Sequence, residues 1–279
     1  MLSFNSMNSA KSFSLSGLVN MRYVPPLFIT FILVTGHFTF GILEGFLPII
    51  AAIGTSLLTE LALSMAVTGK TKNLASAYIT GISVGILIRT TFIWPFVITA
   101  IISIMSKYVL RFRGRHIWNP SNFGIAWMLM FAPASVAGLS IQWGNNFLPM
   151  LVIWLLGMVI VWRVKRLHIT ITYVAAFTLF AWLRSMITGD SFMAEWAPIS
   201  GPMYQLFIFF MITDPATTVK SKKGQIIVVL LIALVEFVLR LNEFIYAPFY
   251  ALFIVGPVAM AIDLQLEHKK RVKLPGKGL

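Results

Sequence analysis

Ten apolar runs follow one another along this chain with little room between them, at residues 24–43, 47–69, 76–90, 94–110, 119–136, 147–162, 168–187, 199–213, 225–240 and 245–263. About 20 apolar residues in a helix span the hydrocarbon of a bilayer, and a helix satisfies its own backbone there. A soluble core has no place for so many such runs in 279 residues. The pattern therefore predicts an all-α integral membrane protein with about ten transmembrane helices. Composition agrees, because only 11% of the residues are charged, against roughly 25% in an ordinary soluble domain.

The loops predict how the chain is oriented. If every run crosses, one side collects Lys70 and Lys72, Arg111, Arg113 and Arg115, Arg163, Lys165 and Arg166, and Lys220, Lys222 and Lys223. The other side collects Glu44, Asp190, Glu195 and Glu243, with the boundary arginines Arg89, Arg184 and Arg240. Excess Lys and Arg marks the cytoplasmic side. Both termini are thus expected in the cytoplasm, with residues 1–23 and the basic residues 264–279 as tails of a cell-membrane protein. The net charge of +13 on its own suggests nucleic acid. Its distribution over short loops assigns it to insertion instead, so the expected partner is the lipid bilayer and no nucleic acid.

A weak internal repeat relates the halves. Val109-Leu110-Arg111 recurs as Val238-Leu239-Arg240, and Ile117-Trp118-Asn119-Pro120 is echoed by Ile245-Tyr246-Ala247-Pro248. Five crossings per half is an odd number, so residues 24–136 and 147–263 are expected to be two five-helix repeats of inverted orientation. Such halves enclose a site or path where they meet, commonly beside broken segments. The short runs 76–90 and 199–213, interrupted by Gly, Ser, Thr or Pro, are the candidates.

Polarity concentrates in two stretches. In residues 113–124 Asn119 can cap a helix that begins with Pro120, and the helix start together with Arg111, Arg113, Arg115 and His116 makes an anion site at the membrane surface. The plainer reading is a cap beside topology-fixing arginines. The second stretch is Thr213-Asp214-Pro215-Ala216-Thr217-Thr218, followed by Lys220, Lys222 and Lys223. It reads either as a phosphate-holding or flavin-holding turn or as an ordinary Asp-Pro turn. Glu60 and Glu236 lie inside apolar runs, where an ionisable group is costly, and both are candidates for an ion or proton path. His37 reads first as a histidine hydrogen-bonded to a neighbouring helix. Trp94, Trp118, Trp143, Trp162 and Trp196 fall near run ends as interfacial anchors, Trp118 being also placed to stack on a planar ligand. Gly81 and Gly85 carry the spacing of close helix packing. The chain has no cysteine and four histidines, so thiolate chemistry is excluded and no metal site is expected.

These stretches carry a resemblance. Gly-Arg-His-Ile-Trp-Asn-Pro-Ser-Asn-Phe-Gly at 114–124 and Phe-Met-Ile-Thr-Asp-Pro-Ala-Thr-Thr at 210–218 resemble paired signatures of the RnfD/NqrB family, whose members are membrane components of the Rnf electron-transport complex and of the sodium-pumping NADH:quinone oxidoreductase. The resemblance implies a ten-helix inverted-repeat fold similar to that of urea channels. It also implies bound flavin and electron transfer within a larger membrane complex, at most an electron-transfer subunit of an oxidoreductase. Family members in those complexes carry FMN on the threonine of a Ser-Gly-Ala-Thr motif. This chain lacks that motif and its loop 137–146 has no threonine, so a non-covalent flavin, FMN or riboflavin, is the expectation. In this respect it is similar to the shorter stand-alone relatives, including those associated with enediyne biosynthesis. The residues expected to hold the flavin are Arg113, Arg115, Trp118, Asn119, Asn122, Phe123, Thr213, Asp214, Thr217 and Lys220. Two alternatives stay open: a transporter or channel for a small polar molecule, its path lined by Glu60, Thr80, Ser83 and Ser200, and a scaffold subunit without either activity.

Overall fold

The computed structural model describes residues 24–40, 45–71, 74–138 and 147–273. The fold is that of an all-α membrane protein. Helices α1 (Val24–Phe40), α2 (Phe46–Thr68), α3 (Ala75–Leu87), α4 (Trp94–Val109) and α5 (Pro120–Phe131) make up the first half. The second contains α6 (Phe147–Arg163), α7 (Leu167–Thr188), the short α8 (Phe192–Trp196) and α9 (Pro202–Leu206), then α10 (Lys222–Leu241) and α11 (Ala247–Lys273). Among the described residues four stretches, Phe46–Thr68, Leu167–Thr188, Lys222–Leu241 and Ala247–Lys270, are long and apolar enough to cross a membrane.

The long helices are built inside out relative to those of a soluble protein. On α2 the exposed side chains include Leu47, Ile50, Leu58 and Leu61, while the buried face carries Ala52, Ser56, Glu60 and Ser64 at four-residue spacing. On α10 Ile227, Leu230, Leu234 and Val238 face outward, and Gln225 and Glu236 are buried. Apolar side chains toward the surroundings and polar ones toward neighbouring helices is the arrangement that hydrocarbon favours, where a polar group must find its partner within the protein.

Packing follows the same order in the two halves. α2 lies against α3 and α4, and α4 against α5; α7 lies against α8 and α10, and α10 against α11. α1 with α6, and α5 with α11, join the halves. The helices that open these sets end alike, in Val67-Thr68-Gly69 and Ile187-Thr188-Gly189. Each Thr hydroxyl bonds the carbonyl four residues back, at 2.6 and 3.0 Å, and each Gly closes the helix at positive φ, 64° and 81°. α7 and α10 run side by side in register, since His168 Nε2 meets Gln225 Oε1 at 2.6 Å and Phe180 stacks on Phe237 across the same separation in sequence.

Close approach is set by missing side chains. A Cβ on Gly81 would stand 2.6 Å from Ile53 Cα, and one on Gly85 3.0 Å from Ile49 Cα, so this pair seats α3 on α2 as its spacing predicts. Gly124 plays the same part between α5 and α4, where a Cβ would fall 2.0 Å from Ser103 Oγ.

The two short runs are interrupted. α3 stops at Leu87 and continues as β1 (Ile88–Arg89), which pairs antiparallel with β4 (Ala137–Gly138). The run 199–213 breaks into a 3-10 turn (Ala197–Ser200) containing Pro198, then α9, then a π-helical turn (Phe207–Met211). At the other end α11 continues to Lys273, past the expected boundary at 263, because Leu264 is buried and the polar residues beyond it hold the loops described next. Residues 1–23, Glu44, Lys72, Trp143, most of loop 137–146 and residues 274–279 lie outside the described residues.

Candidate functional site

The basic stretch after α4 folds as a hairpin, β2 (Arg111–Phe112) against β3 (Arg115–His116). Its two central residues, Arg113 and Gly114, both have positive φ, 49° and 82°, the condition of the primed turns that match strand twist. Left-handed backbone costs an ordinary residue about 1–2 kcal/mol. Arg113 is held there by Nε and Nη2 hydrogen bonds to Gln265 Oε1 on α11, at 3.1 and 2.7 Å, and Arg111 closes the turn from Nη2 to the Gly114 carbonyl.

From the hairpin the chain climbs along α11. Arg113 meets Gln265, Trp118 Nε1 donates to the Phe253 carbonyl at 3.0 Å, and Asn122 Nδ2 donates to that of Phe249 at 3.2 Å. The sixteen steps from Phe249 to Gln265 along α11 measure roughly 24 Å at 1.5 Å per residue. α5 therefore begins beside the apolar Phe249 and Phe253, away from the charged end of α11. The Asn119 helix start is half-buried, and the exposed Arg111 and Arg113 lie at the rim. Asn119 does cap α5, its Oδ1 accepting from Asn122 N at 3.0 Å and from Ser121 Oγ at 2.8 Å.

The second polar stretch arrives at the same place. Asn119 Nδ2 donates to Asp214 Oδ2 at 3.1 Å, and Arg115 Nη2 to the Ala216 carbonyl at 2.9 Å. Asp214 also orders its own turn, accepting from Ala216 N and from Thr217 Oγ1, each at 2.9 Å. Thr213 points away from the junction, bonding the Phe209 carbonyl at 2.6 Å within its own turn of chain. Lys220 turns to α11, its N–H to Asp263 Oδ2 at 3.1 Å and its ammonium to Glu267 at 2.8 Å.

Residues expected as stackers are in use as packing. Phe123 lies flat on Phe253 with centroids 5.4 Å apart, and Trp118 meets Phe123 edge-on at 5.6 Å. The polar fit to a ligand is better than the aromatic one. Asn122 is 1% exposed, yet among the described residues its Oδ1 finds no hydrogen-bond partner, and the buried Nη1 of Arg166 finds none. Burial lowers the pKa of Arg166 and the nearby Asp214 opposes that shift; burial also lowers His116, again against Asp214. The junction thus offers an unsatisfied acceptor, an unsatisfied donor and partly buried cations near Asp214.

The two membrane-embedded carboxylates have different company. Glu60, 2% exposed on α2, accepts from Lys107 Nζ at 2.5 Å and Tyr108 Oη at 2.7 Å, both on α4. Glu236, 1% exposed on α10, accepts from Tyr173 of α7 and from Tyr204 of α9, the latter at 2.6 Å, and Arg240 Nη1 donates to the Tyr204 hydroxyl at 2.7 Å. Glu195 on α8 pairs with Arg184 and stands 3.9 Å from Arg240. Sequence reading missed Lys107, Tyr108, Tyr173 and Tyr204. One signal was present, because the offset of 129 residues that carries Val109 onto Val238 also carries Lys107 onto Glu236. Thr80, Ser83 and Ser200 each bond a carbonyl of their own helical turn. His37 packs edge-on against Phe46 at 4.5 Å, and among the described residues its Nδ1 has no hydrogen-bond partner.

No family model matches the chain, and no curated protein matches its sequence.

Proposed function

We propose that the chain is a membrane subunit of RnfD/NqrB type, working in electron transfer and holding a flavin non-covalently beside the Asn119–Asp214 junction. The observation that carries this reading is that the two resembling stretches, some ninety-five residues apart in sequence, hydrogen-bond to each other through Asn119 and Asp214. Two inverted five-helix halves, ten crossings and cytoplasmic termini in the cell membrane belong to the same proposal. The like packing order of α2–α5 and of α7, α8, α10 and α11 supports it, as do the matched Thr-Gly endings of α2 and α7.

A flavin supplies hydride and single-electron chemistry, and the protein sets its position and potential. Here Arg115, Arg166 and the rim residue Arg113 would offset charge on a phosphate or a reduced ring, while Asn122 Oδ1 and Arg166 Nη1 would satisfy a ring edge. Trp118 and Phe123 would wall the site through their packing on Phe253 rather than stack on the ligand. Asn119→Leu and Asp214→Leu should each release flavin from purified protein that still elutes as a single folded species. Stoichiometric flavin retained by both variants overturns the assignment.

Transport of a small polar molecule is the second reading, favoured by the broken run 197–211 beside a cleft lined with buried charges. Flavin bound to the isolated chain separates the two.

A further inference from the structure

The C-terminal ends of α7 and α10 enclose a small cleft that the Asn119–Asp214 junction does not use. Its polar lining is Arg184, Glu195, Glu236 and Arg240, and its floor includes Ala181 and Ala233. The cavity volume is about 10 Å³, the room that one water needs. The two arginine side chains, 15% and 14% exposed, form the rim, and the two glutamates are buried beneath it.

The titratable groups around Glu236 are Tyr173 and Arg184 from α7, Glu195 from α8, Tyr204 from α9, and Arg240 from its own helix. Both carboxylate oxygens accept from neutral hydroxyls, and the nearest hydrogen-bonded cation acts at one remove through Tyr204. Tyrosine hydroxyls both donate and accept, so a proton can be added to Glu236 by reorienting a hydroxyl without breaking an ion pair. With Arg184 and Arg240 against Glu195 and Glu236 the cluster is neutral, and protonation leaves one uncompensated positive charge that favours return of the proton.

We propose that Glu236 is a reversible proton-binding site, reached from the C-terminal ends of α7 and α10 through one water in this cleft. A hydronium in the cleft gives its proton to a carboxylate oxygen of Glu236 and leaves as water; the reverse step hands the proton back. The basic-loop count assigns this end to the side opposite the cytoplasm. The site requires no flavin, and its failure leaves the flavin reading standing.

Infrared difference spectra of the full chain in lipid nanodiscs, recorded between neutral and acidic buffer in light and heavy water, test this. The expected result is a carboxylic acid C=O band that follows pH and shifts on deuteration. It disappears in Glu236→Gln and remains in Glu60→Gln. Ala233→Leu and Ala181→Leu fill the cleft while leaving every titratable group in the chain, and each should abolish the pH response and the deuterium shift while the protein stays folded. The proposal is overturned by a wild-type spectrum with no such band, by a band that survives Glu236→Gln, or by unchanged pH response and exchange in both filled variants.

Discussion

Each half of this molecule buries a glutamate on a long helix, Glu60 on α2 and Glu236 on α10, and surrounds it with different partners. Glu60 sits 2.5 Å from the ammonium of Lys107, with Tyr108 as second donor. Glu236 has two tyrosine hydroxyls instead, and its arginine stands behind one of them. Lys107 is in direct contact with the Glu60 carboxylate, so a change at either residue breaks an ion pair. A carboxylate held by hydroxyls keeps the option of taking a proton. The contrast is between an ion pair that joins α2 to α4 and, as proposed above, a carboxylate that exchanges a proton.

The largest expected effect breaks the first network. Glu60→Ala or Lys107→Ala leaves a buried charge without its partner and should cost about 3–5 kcal/mol of stability, whereas Glu60→Met with Lys107→Met should be close to neutral. Thermal or denaturant unfolding in detergent measures both. A double variant as damaged as the singles would mean that Glu60 does more than pair. Next comes Tyr204→Phe, which removes a donor to Glu236 and the acceptor of Arg240 together, with an expected loss of about 1–3 kcal/mol. Tyr173→Phe should cost no more than that, since it removes one hydrogen bond and strands no arginine. If Tyr204→Phe were neutral, the claim that Arg240 acts through this hydroxyl would fail.

The smallest effect lies at the hairpin and sharpens the comparison by subtraction. Burial holds His116 below the ordinary histidine value, with Asp214 opposing. An unfolded histidine titrates near about 6.5. As pH falls through that value the unfolded chain takes up the proton first, so stability declines between there and the lower folded value. His116→Gln should remove this decline, and the acid dependence that remains belongs to the carboxylate networks. An unchanged decline in that variant would assign it elsewhere.

Most helix positions were legible because apolar runs and their punctuation carry them. Run 47–69 became Phe46–Thr68, and run 94–110 became Trp94–Val109. The capping role of Asn119 and the seating of Gly81 and Gly85 on α2 were equally readable, since each depends on one residue type at one spacing. What escaped was long-range or ambiguous in kind. Leu264 to Lys273 reads as a charged tail, yet its Leu, Gln, Glu and Lys are good helix formers and its polar groups are needed by Arg113 and Lys220. Nothing in the sequence marks Tyr173 and Tyr204, and only packing reveals that they share Glu236. Trp118 and Phe123 look like ligand stackers until Phe253, more than a hundred residues on, takes up their faces.

The central claim is that the chain holds a non-covalent flavin, and the visible absorption spectrum of gently purified, detergent-solubilised protein tests it directly. Flavin absorbance that accompanies the folded protein and is lost after denaturation and removal of small molecules is the predicted result. Folded protein without flavin, from cells supplied with the cofactor during expression, would contradict it.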